Sequence, residues 1–236
     1  MENTIEIHDL GFVKLLDVMG DDQEVENAAR ISYGEGTRKV SQTRNLIRYL
    51  MRHKHTSPFE MCEVKFHLKL PIFIMRQLVR HRTANLNEYS GRYSVMSNEY
   101  YLPQADYLQK QSTTNNQGRN EVLPNKGSLH FEFNRVYDTA QITYENLLEE
   151  DLARELSRIV LPVANYTECI WKIDLHNFFH FVRLRSDSHA QREIRDYSDA
   201  MYELVKPKFP LCCEAFEDYV RDAVTFSKHE MELIRE

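Results

Sequence analysis

Between residues 64 and 70 apolar and polar side chains alternate without a break. Val64, Phe66, Leu68 and Leu70 are separated by Lys65, His67 and Lys69, a period of two that predicts a half-buried strand with both lysines on its solvated face or at an interface. Pro71 follows and suits the first position of a helix, which IFIMRQLVRHR continues. This junction delivers Arg80, His81 and Arg82 at a helix end. A second strand is predicted at 166–174, where Cys169, Trp171 and Ile173 share a face. Two long stripes have helical spacing. One runs through Phe133, Val136, Tyr137, Ala140, Tyr144, Leu147 and Leu148; the other through Ala190, Ile194, Tyr197, Met201, Leu204 and Val205. Both read as core.

Shorter signals fill in the rest. Ile5, Ile7 and Gly11 suggest a strand and a turn, while Val25–Ala29 and Leu46–Leu50 have helical spacing. A short helix around Phe216, Tyr219, Val220 and Ala223 is expected to close the chain. The stretch QSTTNNQGRN, residues 111–120, is polar and non-periodic and predicts a loop. Strands and helices mix without βαβ regularity, and no GxGxxG or GKS/GKT motif is present. The expected class is α+β, a small antiparallel sheet with flanking long helices.

Length adds a bound. A chain of 236 residues and 28.1 kDa suits one domain, 1–236. Size scaling gives a folded surface of about 11,000 Å² against about 41,000 Å² unfolded, so a large core needs no staple. The four cysteines, Cys62, Cys169, Cys212 and Cys213, form no CxxC pair and read as reduced packing residues. No stretch approaches about 18 consecutive apolar residues, so no membrane span is expected. MENTIEIHDL lacks a basic start followed by an apolar run, so no secretory leader is expected and the cytoplasm is the expected location.

Net charge is −6, which argues against a nucleic-acid partner. Local charge has the opposite sign. From Ile72 to Val95 four arginines (Arg76, Arg80, Arg82, Arg92) face one acid, Glu88. A basic spot on an acidic chain suits one small anion. Within it, Ser90-Gly91-Arg92 offers a hydroxyl, bare backbone and a guanidinium together, a set that matches a phosphate monoester.

The segment RHRTANLNEYSGRYS, Arg80 to Ser94, resembles the signature of the flavin-dependent thymidylate synthases, written RHRxxSxNxxSxR. Asn85 stands at the first signature serine. YLMRHKHTSPFE (49–60), RIVLP (158–162) and LRSDSHAQREI (184–194) resemble the same family, in the right order along nearly the whole chain.

The resemblance implies conversion of dUMP to dTMP, with 5,10-methylenetetrahydrofolate as carbon donor and NADPH as reductant through FAD. It implies a homotetramer whose active sites are shared between subunits. Gln77, Leu78, Val79, Arg80, Glu88, Tyr89, Ser90, Gly91, Arg92, Arg158 and Arg185 match dUMP-binding positions. Arg185 also matches the arginine that favours an ionised uracil, the catalytic role. Ser57, Arg80, His81, Arg82, Glu88, Asp174, Leu175, His176 and His180 match flavin contacts, and His55 a histidine near flavin and folate. Ser90 is assigned to binding, because a serine nucleophile needs an adjacent base. The cysteines lie outside the signature, which argues against a covalent cysteine route.

Two other classes are open on the residues alone. A metal-dependent hydrolase would use His53 and His55 or His176 and His180, the latter four apart on one helix face as zinc ligands are, but HEXXH is absent and no metal site is expected. A non-catalytic nucleotide-binding module would use only the arginines. Asp187 or Ser188 is the expected cap of the following helix, with His189 supporting Arg185 or that cap.

Overall fold

The computed structural model describes residues 3–32, 42–113 and 118–235. Elements run in the order β1 (Thr4–Ile7), β2 (Gly11–Met19), α1 (Asp22–Arg30), α2 (Thr43–Arg52), α3 (Ser57–Glu60), β3 (Glu63–Pro71), α4 (Ile72–Leu78) and β4 (Asn85–Glu88). Then come β5 (Gln109–Gln111), β6 (Arg119–Val122), α5 (Lys126–Glu149), α6 (Arg154–Ser157) and β7 (Tyr166–Asp174). The chain ends with α7 (Leu175–Arg185), α8 (Arg192–Val205), α9 (Pro210–Phe216) and α10 (Lys228–Arg235).

Five strands pair antiparallel in the order β1-β2-β3-β7-β4. The two predicted strands are neighbours at its centre, with Phe66 opposite Trp171 and Leu68 opposite Cys169. Their inward side chains are buried beneath Phe178, Phe181 and Val182 of α7 and Ile194, Tyr197, Met201 and Val205 of α8. Phe179 stacks on Phe216 at 4.5 Å, which ties α9 to the same core. The mixed architecture with a small antiparallel sheet and helices is the one expected.

Gly11 opens β2, because a Cβ there would stand 2.1 Å from the Tyr197 hydroxyl. That hydroxyl donates to the Lys69 carbonyl at 2.8 Å, so helix α8 is bonded to the central strand across the place a side chain would fill.

Several expectations need correction. Pro71 ends β3 and sits just before α4. The alternation of β2 breaks at a register shift between Leu15 and Asp17, which hides it from a period count. β4 is exposed at all four positions, so it has no buried face to signal it. The ends of the expected 111–120 loop pair as β5 and β6, Gln111 opposite Arg119, while 114–117 lies outside the described residues. α10 follows the helix expected to be last. Of the α5 stripe only Tyr137 and Tyr144 are buried; Phe133 and Val136 are exposed, so most of that face is not core in the single chain. Lys69 is largely covered and bonds Glu99 at 2.7 Å, unlike a solvated lysine. α8 begins after Gln191 with no side-chain cap; Asp187 instead accepts from the backbone N–H and Nδ1 of His189, each at 2.8 Å.

No helix among the described residues is long and apolar enough to cross a membrane.

Candidate active site

Strand β4 divides the signature into two groups. Arg80, His81 and Arg82 precede it, just past α4, which stops at Leu78 rather than running on to Arg82 as expected, and Tyr89 to Arg92 follow it. Four strand residues span roughly 13 Å, so the groups flank opposite ends of the sheet edge.

In the first group, Nε of Arg185, at the end of α7, donates to Nε2 of His81 at 3.0 Å. The same guanidinium reaches the Gln77 carbonyl at 3.4 Å. To accept at Nε2 the imidazole must be neutral and protonated on Nδ1. Burial, then the nearby Arg185 and His180, push His81 down to about 4, so it is neutral at physiological pH. Burial and the Arg80 charge also press on Arg185, which remains a cation. Among the described residues no carboxylate lies within 4 Å of Arg80, Arg82, Arg158 or Arg185, although ten arginine–carboxylate pairs form elsewhere. A half-buried guanidinium whose partner is a neutral ring is a seat for an anion. Leu78 is fully buried in the core, while Val79 and Arg80 are exposed.

In the second group, Gly91 is buried, and a Cβ on it would stand 2.8 Å from Met96 Sδ and 3.1 Å from Arg158 Cδ. The bare backbone of the signature therefore packs against the stem of the distant arginine. The Arg92 backbone N–H donates to Ser90 Oγ at 3.3 Å, and the Arg92 Nε donates to Glu155 at 3.1 Å. Arg154 donates to the Tyr93 carbonyl at 2.5 Å, which fixes the turn against α6. Tyr89 donates through its backbone to the Glu168 carbonyl at 2.8 Å and through its hydroxyl to the Val95 carbonyl at 2.9 Å. Glu88 accepts from Thr167 at 3.0 Å.

A separate cleft lies between α2, α7 and the turn after α9. Leu50, Met51, Phe59, Phe179 and Phe216 form its apolar walls, and His55, His176, His180, Lys54 and Arg183 its polar rim. An apolar slot whose rim carries Lys54 and Arg183 fits a flat aromatic ring carrying phosphates. Asp174 caps α7 through the Asn177 backbone N–H at 2.9 Å and its side-chain amide at 2.7 Å. Leu175 is fully buried, so its side chain belongs to the core, and Ser57 is exposed. Among the described residues no group of three His, Cys, Asp or Glu could hold a metal ion.

All four thiols are buried and free. Burial pushes Cys62 up to about 11, and Cys169 and Cys213 up to about 12; it raises Cys212 too. None is an activated nucleophile.

Sequence reasoning missed Glu155, Thr167 and Gln191, which hold Arg92, Glu88 and Gln77 respectively. Only the position of Glu155 three residues before Arg158 could have drawn attention to it.

Fold and site together define an α+β protein with uncompensated guanidiniums beside a sheet edge. The chain matches the family described as thymidylate synthase complementing protein over residues 14–211. A flavin-dependent thymidylate synthase of Ehrlichia ruminantium (strain Gardel) is 53% identical over 229 residues, covering 96% of this chain and 77% of that one. Its counterpart in Treponema denticola is 48% identical over 238 residues, covering 100% and 90%. The UMP/dUMP methylase PolB of Streptomyces cacaoi, crystallised with 5-Br dUMP, superposes with a TM-score of 0.83 at 32% identity, covering 92% of this chain and 99% of that one. This chain belongs to the flavin-dependent thymidylate synthase family and is a methyltransferase.

Proposed function

We propose that the chain, working as one domain, methylates dUMP to dTMP with 5,10-methylenetetrahydrofolate as carbon donor and NADPH as reductant through FAD. The observation that carries this reading is Arg185, a half-buried cation whose only side-chain partner among the described residues is neutral His81.

Arg185 stabilises negative charge on the uracil ring, which makes C5 nucleophilic. His81 holds Nε of that guanidinium, one terminal nitrogen reaches the Gln77 carbonyl, and the remaining N–H groups face the ring. Arg92, Arg158 and the Ser90 hydroxyl grip the phosphate, with the backbone at Gly91 approaching closely. Glu155 competes with the phosphate for Arg92. Leu78 and Leu175 shape the site from beneath, and Gln77, Val79, Glu88 and Tyr89 border the nucleotide. His55, Ser57, Arg82, Asp174, His176 and His180 hold the flavin with Arg80 and His81, and the flavin supplies hydride transfer.

Assembly as a homotetramer completes the site. In support, the described residues leave apolar faces open. Large apolar side chains stand open on α5 and after α6: Phe131 at 64%, Ile142 at 58% and Ile159 at 71% exposure.

The test is the visible spectrum of the purified protein, its bleaching by NADPH, and thymidylate formation on adding dUMP and methylenetetrahydrofolate. A colourless protein that forms no thymidylate sinks the proposal.

A further inference from the structure

A second basic cleft, of about 720 Å³, opens between the β5–β6 hairpin and the start of α8. That volume lies within the range of small-molecule sites, about 300–1,000 Å³. Its walls carry three guanidiniums, Arg119, Arg192 and Arg195, with the imidazole of His189, and no carboxylate among the lining residues.

Two of the three arginines are positioned from below. Arg119 donates to the buried carboxylate of Glu193 at 2.6 Å and to the Tyr107 carbonyl at 3.1 Å. Arg192 lies over the Tyr107 ring at 3.8 Å and 3.4 Å from Asp106. Arg195 forms no such pair: its Nε–H is buried without an acceptor, and among the described residues no carboxylate oxygen lies within 4 Å of it. A buried charged donor left unsatisfied in a polar cleft is the mark of a site waiting for an acceptor.

This cleft adjoins the nucleotide residues through one side chain. Gln191 accepts from the Gln77 amide at 2.7 Å and donates to Glu193 at 2.9 Å, the carboxylate that holds Arg119. A molecule reacting beside Gln77 and Arg185 could therefore extend its anionic end into the cleft.

We infer that the cleft between the β5–β6 hairpin and α8 seats the oxyanion-bearing tail of a co-substrate, through Arg119, Arg192 and Arg195. The inference rests on the reading of the chain as a thymidylate synthase with two anionic co-substrates. Its ligand chemistry, carboxylate or phosphate oxygens on a flexible tail, has two sources in that reading: the glutamates of the folate or a phosphate of the dinucleotide.

Titration calorimetry on the intact protein separates them, with tri-γ-glutamate and adenosine 2′,5′-bisphosphate as probes. At least one probe should bind, and Arg195→Gln and Arg192→Gln should each weaken it about tenfold or more. Binding of the glutamate peptide alone assigns the folate tail, and of the bisphosphate alone the dinucleotide; binding of both supports a shared oxyanion seat. Failure of both probes to bind overturns the inference, as does binding that neither substitution changes. The Arg192 side chain is 37% exposed, so its variant keeps the test if Arg195→Gln does not fold. Calorimetry needs no turnover, so loss of the thymidylate synthase reading by spectrum and product assay is read separately.

Discussion

Nε of Arg185 and Nε2 of His81 meet at 3.0 Å although 104 residues separate them in sequence. The bond joins the end of α7 to the end of α4. It also requires a neutral ring, since a neutral imidazole accepts the bond and an imidazolium cannot.

That bond carries a pH dependence. An unfolded histidine titrates near about 6.5, whereas folded His81 is pushed down to about 4, chiefly by burial. Between those values the unfolded chain takes up a proton that the folded chain refuses. The stability contribution is full above about 6.5 and is lost as pH falls toward 4. We expect denaturant unfolding at pH 7, 5.5 and 4.5 to show this loss, and His81→Asn to flatten it. An identical slope in the variant places the acid sensitivity elsewhere.

For Arg185→Ala we expect turnover to fall further than dUMP affinity, because the charge matters most once the ring ionises. Steady-state kinetics set beside equilibrium dUMP binding read the two losses. Equal losses remove the ring-ionisation role.

Arg92→Ala should weaken dUMP binding roughly 10- to 150-fold, the worth of a charge-assisted contact. Its partner Glu155 is about half exposed, as is Arg92 itself, so breaking the pair costs at most about 1 kcal/mol of stability. Glu155→Gln therefore should leave the thermal midpoint nearly unchanged. Undiminished dUMP affinity in a folded Arg92→Ala protein refutes the phosphate assignment.

Gly91→Ala drives a methyl against Met96 Sδ and the Arg158 stem. We expect a stability loss of about 1–3 kcal/mol, with weaker nucleotide binding as Arg158 is displaced. Pairing it with Met96→Ala should recover stability by thermal unfolding and leave binding weak. Recovery of both would mean that the contact with Arg158 is immaterial.

Gly11→Ala collides with the Tyr197 hydroxyl at 2.1 Å. Thermal unfolding should fall sharply, and adding Tyr197→Phe should restore part of it by removing the clashing oxygen. No rescue would place the strain in the strand backbone, where the Ile7 carbonyl also lies 2.9 Å away.

What the sequence determined by itself was the buried alternation and the signature chemistry. β3 and β7 each hide one face, so their period of two survives as a pattern and marks the sheet centre. The arginines, glycine and serine of Arg80–Arg92 carry charge and backbone freedom, and their order matches the family signature. Tertiary structure alone decided the rest, because contacts between distant residues follow no period. β4 is exposed throughout and exists only through its pairing with β7. Arg158 meets Gly91, Glu155 meets Arg92, and Arg185 meets His81 only when strands and helices dock. The partners of a guanidinium, and hence which one is left for a ligand, are settled by packing.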